Sequence, residues 1–277
     1  MAQTYESLKQ LFRRLTWRAR VLPDFLVIGA QKAGTTSLAY YLSQHPGLVA
    51  SHEKEVHYFD GGLNESVDTY DKGESWYRSY FPRKTRMKPG NMAFEASPAY
   101  LFNPLVSGRV FDQNPKMKMI ALLRNPTERA ISHYRMEKKS GRETLPLMEA
   151  LVGEEERLSS CLRSKDYKSQ AFRYHSYKSR GLYYEQLLRY HKLFAREQLL
   201  VLSGEAFFNN PKETLRQIFS FLGVDRHCEI SDLAKENVGS KPQGPPIEAI
   251  EYLNDYFDPH NKQLYDYLGS DFGWARP

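Results

Sequence analysis

Phe25 to Ser37 reads FLVIGAQKAGTTS, in which an apolar run enters a turn bounded by Gly29 and Gly34, carries Lys32, and leaves through Thr35, Thr36 and Ser37. Those residue types at that spacing suit the capture of a phosphate. Glycine lets the backbone approach a ligand with no Cβ in the way. A helix start offers unpaired N–H groups and the positive end of the helix dipole. Lys32 adds a point charge and the threonines add hydroxyl donors. An ordinary ATPase loop, GxxxxGK[ST], places its lysine after the second glycine, whereas Lys32 comes before Gly34. The competing reading is a plain strand-to-helix turn with an incidental lysine.

A second segment weighs against that plain reading. Met117 to Arg124, MKMIALLR, is another apolar run, and it ends in Arg124-Asn125-Pro126 followed at helical spacing by Glu128, Arg129 and Ser132. A kinase or ATPase is expected to offer an aspartate there to hold magnesium. A guanidinium with a serine hydroxyl about two turns further on suits a second phosphate instead. Two such sites without an evident metal ligand imply a nucleotide phosphorylated at two positions.

The elements that must position these residues follow from pattern. Leu26 to Ile28 is the continuous apolar run of a buried parallel strand, so the reading is strand 25–29, helix 35–44 and strand 48–50, broken by His45-Pro46-Gly47. Further strands are expected at 92–95, 117–123 and 198–203. Helices are expected over 76–81, from Asn103-Pro104 to Phe111, from Pro126 onward, over 182–194, and over 211–222 with Gly223 as C-cap. Two closing helices, 248–257 and 259–268, complete the chain. The expectation is an α/β fold: a single domain over 22–277 with a P-loop-type central parallel sheet, helices on both faces, and ligands outside the strands' carboxyl ends. It follows a basic amphipathic segment over 1–21.

Taken in order, these segments resemble the sulfotransferases that use 3′-phosphoadenosine 5′-phosphosulfate (PAPS), especially the branch that sulfates heparan-type polysaccharides, over about Leu22 to Trp274. The resemblance implies that Gln31, Lys32, Ala33, Gly34, Thr35, Thr36 and Ser37 grip the 5′-phosphosulfate, and that Arg124 and Ser132, in LLRNPTERAISHY, grip the 3′-phosphate. It places the acceptor-activating carboxylate in EKEVHYFD at Glu55, with His57 and Asp60 beside it. KENVGSKP, with Gly239, Ser240 and Lys241, is similar to the loop that closes over the nucleotide, and DFGW at 271–274 to the family's closing aromatic segment. One departure is Ala96 in FEASPAY, where this branch often carries a lysine.

The implied activity moves a sulfuryl group in line from PAPS to a hydroxyl or amine of a carbohydrate, a glycosaminoglycan-like glycan, leaving PAP and using no metal. Such chemistry asks for positioning and charge stabilisation: Lys32 neutralises the bridging oxygen while a base takes the acceptor's proton. An imidazole titrates near neutrality untuned, whereas a carboxylate needs its environment to become a strong base, so residue types alone favour His57 as much as Glu55. The resemblance decides for Glu55. A P-loop nucleotide kinase, a sulfotransferase for a small alcohol or lipid, and a binding module that has lost transfer are the alternatives.

Composition sets the remaining bounds. The net charge of +6 suits an anionic cofactor and acceptor. Arg163, Lys165, Lys168, Arg173, Lys178 and Arg180 fall within eighteen residues. They are expected either as a basic rim in which Arg180, with Asp60, contacts the acceptor, or as a solvated surface. No nucleic-acid motif accompanies them. Cys161 and Cys228 have neither disulfide-framework nor zinc spacing. With no signal-like or membrane-spanning stretch in the sequence, the expected location is the cytoplasm, with the Golgi lumen as the alternative if the sequence is trimmed. Leu8, Leu11, Phe12, Leu15 and Trp17 interleave with Arg13, Arg14, Arg18 and Arg20. Such a helix suits peripheral contact with an anionic membrane or packing on its own domain. Oligomeric state is not legible.

Overall fold

The chain's architecture is that of a computed structural model that describes residues 2–233 and 244–274, with side chains from residue 9 onward. The expected closing-loop residues Gly239, Ser240 and Lys241 lie outside the described residues. In order, the elements are α1 (Ala2–Leu15), β1 (Phe25–Gly29), α2 (Thr35–Ser43), β2 (Leu48–Ala50), α3 (Gly73–Arg78), β3 (Met92–Ala96), α4 (Val106–Gln113), β4 (Lys118–Leu123) and α5 (Pro126–Lys139). Then come α6 (Leu147–Val152), α7 (Glu154–Ser164), α8 (Gln170–Tyr174), α9 (Tyr183–His191), β5 (Leu199–Ser203), α10 (Gly204–Asn209), α11 (Pro211–Leu222) and α12 (Ile247–Leu268).

The five strands form one parallel sheet in the order β2-β3-β1-β4-β5, flanked by helices. Strands covered on both faces must be apolar throughout rather than alternating. Phe25, Leu26, Val27, Ile28 and Met119 through Leu123 are accordingly fully buried. β1 lies at the centre, with β3 on one side and β4 on the other, so the loops that follow these three strands open side by side at one edge. That is where a parallel sheet binds its ligands.

Two glycines permit the close approaches at this edge. Gly34 has φ +102°, and a Cβ there would lie 2.5 Å from the Phe208 ring. A Cβ on Gly204 would meet the Leu123 carbonyl oxygen at 2.8 Å and that of Ala33 at 3.1 Å, so α10 is seated directly against the first turn.

One expected boundary is corrected. The two closing helices are a single helix, α12, with Pro259 inside it. Proline removes a hydrogen bond and disfavours this arrangement, but Leu253, Phe257 and Leu264 are buried along one face across the proline, and that packing carries the helix through. The helices between 147 and 174 are not anticipated by the sequence; they bury Leu158, Cys161 and Phe172 beside Phe102. Ahead of the sheet, α1 rests near α3, and Gln10 Nε2 donates to Ser79 Oγ at 2.7 Å. Leu11, Phe12 and Leu15 of the same helix are exposed. Of the basic run at 163–180, Arg163 and Lys165 are exposed while Lys178 and Arg180 are buried, so it is neither one rim nor one solvated face.

Candidate active site

The turn expected to take an anion runs from the end of β1 into the start of α2. Gly34 is the N-cap of α2 in left-handed conformation, and no side chain caps the helix, so its opening turn is left to accept a ligand. Lys32 also has a positive φ of 71°, uncommon for a residue with a side chain. Its Nζ lies 3.7 Å from Met136 Sδ, over α5. Burial lowers the Lys32 pKa and the Arg124 charge lowers it further, while Glu137 and Glu55 act in the opposite sense. Ala33, Thr35 and Ser37 are buried; Gln31, Gly34 and Thr36 are partly open.

Arg124 extends from the end of β4. Its Nη1 donates to the Lys32 carbonyl at 3.2 Å, while Nε and Nη2 donate to Glu128 Oε2 at 3.2 and 2.7 Å. The segment that carries Arg124 is braced on several sides. Tyr183 OH donates to the Arg124 carbonyl at 2.9 Å, and Glu205 Oε1 accepts the Asn125 amide at 2.8 Å. Trp274 of the DFGW segment donates to the other Glu205 oxygen at 3.0 Å. α5 starts in the same place because Asn125 caps it through the amides of Thr127 and Glu128, with Pro126 at the position that needs no N–H. Ser132, two turns into α5, is partly exposed.

The third component lies across the cradle, on the loop between β2 and β3. Glu55 and His57 both adopt left-handed conformations, with φ of 62° and 53°, a form of local strain often found at functional sites. Hydrogen bonds hold the loop against the end of β3: Glu55 N donates to the Ala96 carbonyl at 3.1 Å, and Thr69 Oγ1 donates to the His57 carbonyl at 2.5 Å. His57 bridges two carboxylates, with Nδ1 2.7 Å from Asp60 Oδ2 and Nε2 3.5 Å from Glu55 Oε2. Burial pushes the imidazole pKa down, but the hydrogen bonds and charges of Asp60 and Glu55 outweigh it and raise the pKa to about 9. Burial pushes the Glu55 carboxyl up, while His57 and Lys54, which pairs with Glu55 Oε1, bring it down to about 2. At neutral pH the pair is a carboxylate facing an imidazolium.

Two residues expected to contact the acceptor are buried and hydrogen-bonded within the protein. Asp60 is 7% exposed and is occupied by His57 and by the Gly62 amide. Arg180 is 5% exposed: its Nε donates to Ser176 Oγ at 2.8 Å, its Nη2 to the Arg173 carbonyl at 3.0 Å, and its guanidinium covers the Phe102 ring at 4.5 Å. Both line a small cavity rather than an open rim. Sequence reasoning missed Lys54 as the partner of Glu55. It also missed the buried face of α5, where Arg129, His133 and Glu137 lie one turn apart. The i, i+4, i+8 spacing of those three could have marked them.

With its chemistry at the carboxyl edge of a central parallel sheet, the molecule is a P-loop-type α/β fold. Residues 22–267 match the sulfotransferase domain family, and the chain belongs to it. The heparan sulfate glucosamine 3-O-sulfotransferase 3B1 of Mus musculus is 29% identical over 92% of this chain and 66% of its own length. The heparan sulfate glucosamine 3-O-sulfotransferase 6 of Homo sapiens is 29% identical over 92% of this chain and 75% of its own length. The membrane-associated sulfotransferase kil1 of Dictyostelium discoideum is 27% identical over 91% and 66%. The chain thus spans about two thirds of the length of most of these relatives. Among solved structures, a sulfotransferase from Alicyclobacillus acidocaldarius superposes with a TM-score of 0.75 at 31% identity, covering 92% of this chain and 100% of that one.

Proposed function

We propose that this sulfotransferase takes its sulfuryl group from PAPS and transfers it to a hydroxyl of a carbohydrate, a glycosaminoglycan-like glycan. The observation that carries the reading is the contact between Arg124 and the Lys32 loop. It sets a guanidinium beside an uncapped helix start on neighbouring strands, an arrangement that suits one nucleotide bearing phosphate at both its 5′ and 3′ positions. The 3-O-sulfotransferase relatives, named for their action on heparan sulfate, support a glycan acceptor.

In this account α2's first turn and Lys32 hold the 5′-phosphosulfate, and Lys32 offsets the charge that develops on the bridging oxygen as its bond to sulfur breaks. Arg124 and Ser132 hold the 3′-phosphate. The acceptor oxygen forms the new bond to sulfur and its proton passes to Glu55. A carboxylate held near 2 is a weak base, but in a loose transition state the acceptor proton becomes strongly acidic only as the new bond forms, so an ionised carboxylate suffices to take it. His57 is protonated below about 9 and has no lone pair to offer at neutral pH, which supports Glu55 as the base and gives His57 the role of orienting it. Asp60 fixes His57 rather than touching the acceptor.

The test is transfer from PAPS to de-O-sulfated, N-sulfated heparan, read by the sulfate gained per chain, with ATP and magnesium in a parallel reaction. Sulfate incorporation with PAPS and none of the phosphate from ATP is the expected result. Phosphate transfer from ATP with no activity on PAPS would replace the reading with a nucleotide kinase.

A further inference from the structure

Behind the Glu55 loop, at the end of β3, lies a carboxylate with no basic partner among the described residues. Glu95 is fully buried and receives three hydroxyl protons. Tyr77 OH donates to Oε1 at 2.5 Å, Tyr100 OH to the same oxygen at 3.1 Å, and Ser97 Oγ to Oε2 at 2.9 Å. A hydroxyl has a single proton, so one that donates inward turns its lone pairs outward. Here the outward direction is the catalytic loop. Tyr100 Oη accepts the amides of Tyr58 and Phe59 at 2.9 and 3.4 Å, and Ser97 Oγ accepts the amide of His57 at 3.5 Å, the long end of the range. Three consecutive loop amides are therefore oriented, through two hydroxyls, by one buried carboxylate.

We propose that Glu95 is a positioning residue for sulfuryl transfer, because its two acceptor oxygens fix the direction of the Ser97 and Tyr100 hydroxyls and thereby hold the loop that aims Glu55 and His57. The loop needs such a hold, since Glu55 and His57 both occupy left-handed conformations that a side chain disfavours. A simple structural anchor would be served better by an apolar residue, because burying a carboxylate is costly unless its hydrogen bonds are all made. Direction is what the carboxylate supplies in its ionised form, above the pKa of about 7 to which burial raises it. Glutamine at this position keeps the shape but turns one acceptor into a donor, so the proton of one hydroxyl loses its acceptor and is redirected toward the loop amides. This inference rests on the assignment of Glu55 as the base, and its test separates the two.

The test compares the wild type with Glu95→Gln, Ser97→Ala and Tyr100→Phe, each assayed well below its own melting temperature. Three quantities are read: kcat for transfer from PAPS to de-O-sulfated, N-sulfated heparan, the PAP dissociation constant by calorimetry, and the His57 titration by NMR. Glu95→Gln is expected to lower kcat about 10- to 100-fold, the scale of a small misplacement of reacting groups. PAP affinity should stay within about twofold, because the cradle lies on other loops, while the His57 titration moves down toward 6.5, its ordinary value. Ser97→Ala and Tyr100→Phe, which leave Glu95 in place, should each reproduce part of the kcat loss. Wild-type kcat and an unmoved His57 titration in Glu95→Gln would overturn the proposal, whatever happens to its melting temperature. If that variant does not fold, wild-type kcat in both of the others would overturn it. A wild type that transfers no sulfuryl group from PAPS but titrates His57 normally would contradict the assigned reaction and leave the loop geometry to be judged by the His57 readout alone.

Discussion

Arg124 Nη1 donates to the carbonyl of Lys32 at 3.2 Å, tying the guanidinium that ends β4 to the loop that follows β1. The bond couples the two loops, and the spacing of the two proposed anion sites follows the pairing of β1 with β4. Arg124→Ala is expected to weaken PAP binding roughly 10- to 100-fold, the scale of charge-assisted hydrogen bonds. It should change the affinity for 5′-AMP, which lacks the 3′-phosphate, by less than about threefold. Lysine at 124 restores only part of the loss, because a point charge does not reproduce a planar fork. Calorimetry with both ligands checks this; equal losses for the two would move Arg124 away from the 3′-phosphate.

Glu128 occupies part of that fork, holding Arg124 through Oε2 while being largely exposed itself. A carboxylate in this place competes with an incoming phosphate. The pair is weak because water screens it, so Glu128→Gln should tighten PAP binding by about two- to fivefold at low salt, with the gain fading as salt rises. A loss of affinity would show that Glu128 aims Arg124 instead.

Glu55 and His57 are separable by pH. Glu55→Gln is expected to lower kcat by about 10² to 10⁴, the usual range for loss of a general base, with PAP binding nearly intact. The imidazolium is held up to about 9. Because its folded pKa is raised, the stability it contributes is complete below 6.5 and is lost as pH rises through about 9. Over the window from pH 8 to 10, kcat should therefore fall as the hydrogen bond that orients Glu55 is lost. A kcat that climbs through 9, together with retained activity in Glu55→Gln, would make neutral His57 the base.

Much of this arrangement was legible beforehand because it is local. The run at 25–29 reads as a buried strand, and Gly34 and Pro126 mark the helix starts. What was not legible depends on contacts between distant parts of the chain. Arg180 looked like one of six surface cations, yet Ser176, the Arg173 carbonyl and the Phe102 ring enclose it. Pro259 looked like a break between helices, but burial on both sides of it carries one helix through. The partners of Glu95 could not be read either, since Tyr77 comes from a separate helix eighteen residues away.

Glu95 also leaves a mark on stability. Burial pushes its carboxyl up, the three hydroxyls pull it partway back, and its pKa comes to about 7, against an ordinary 4.5. A raised carboxyl contributes stability that is complete below 4.5 and is lost as pH rises through about 7. Glu95→Gln has no such group to ionise. Its melting temperature relative to the wild type should therefore increase steadily between pH 5 and pH 8.5. Scanning calorimetry at several pH values measures the difference, and a constant offset would mean that Glu95 titrates as an ordinary carboxyl.

The most direct measurement of the central claim is calorimetric titration of the purified protein with PAP, alongside Lys32→Ala and Arg124→Ala. One site per chain is expected, with affinity reduced in both variants and with no requirement for magnesium. Absence of binding by the wild type, or binding that neither substitution weakens, would contradict the assignment of this sheet edge as the site of a doubly phosphorylated adenosine.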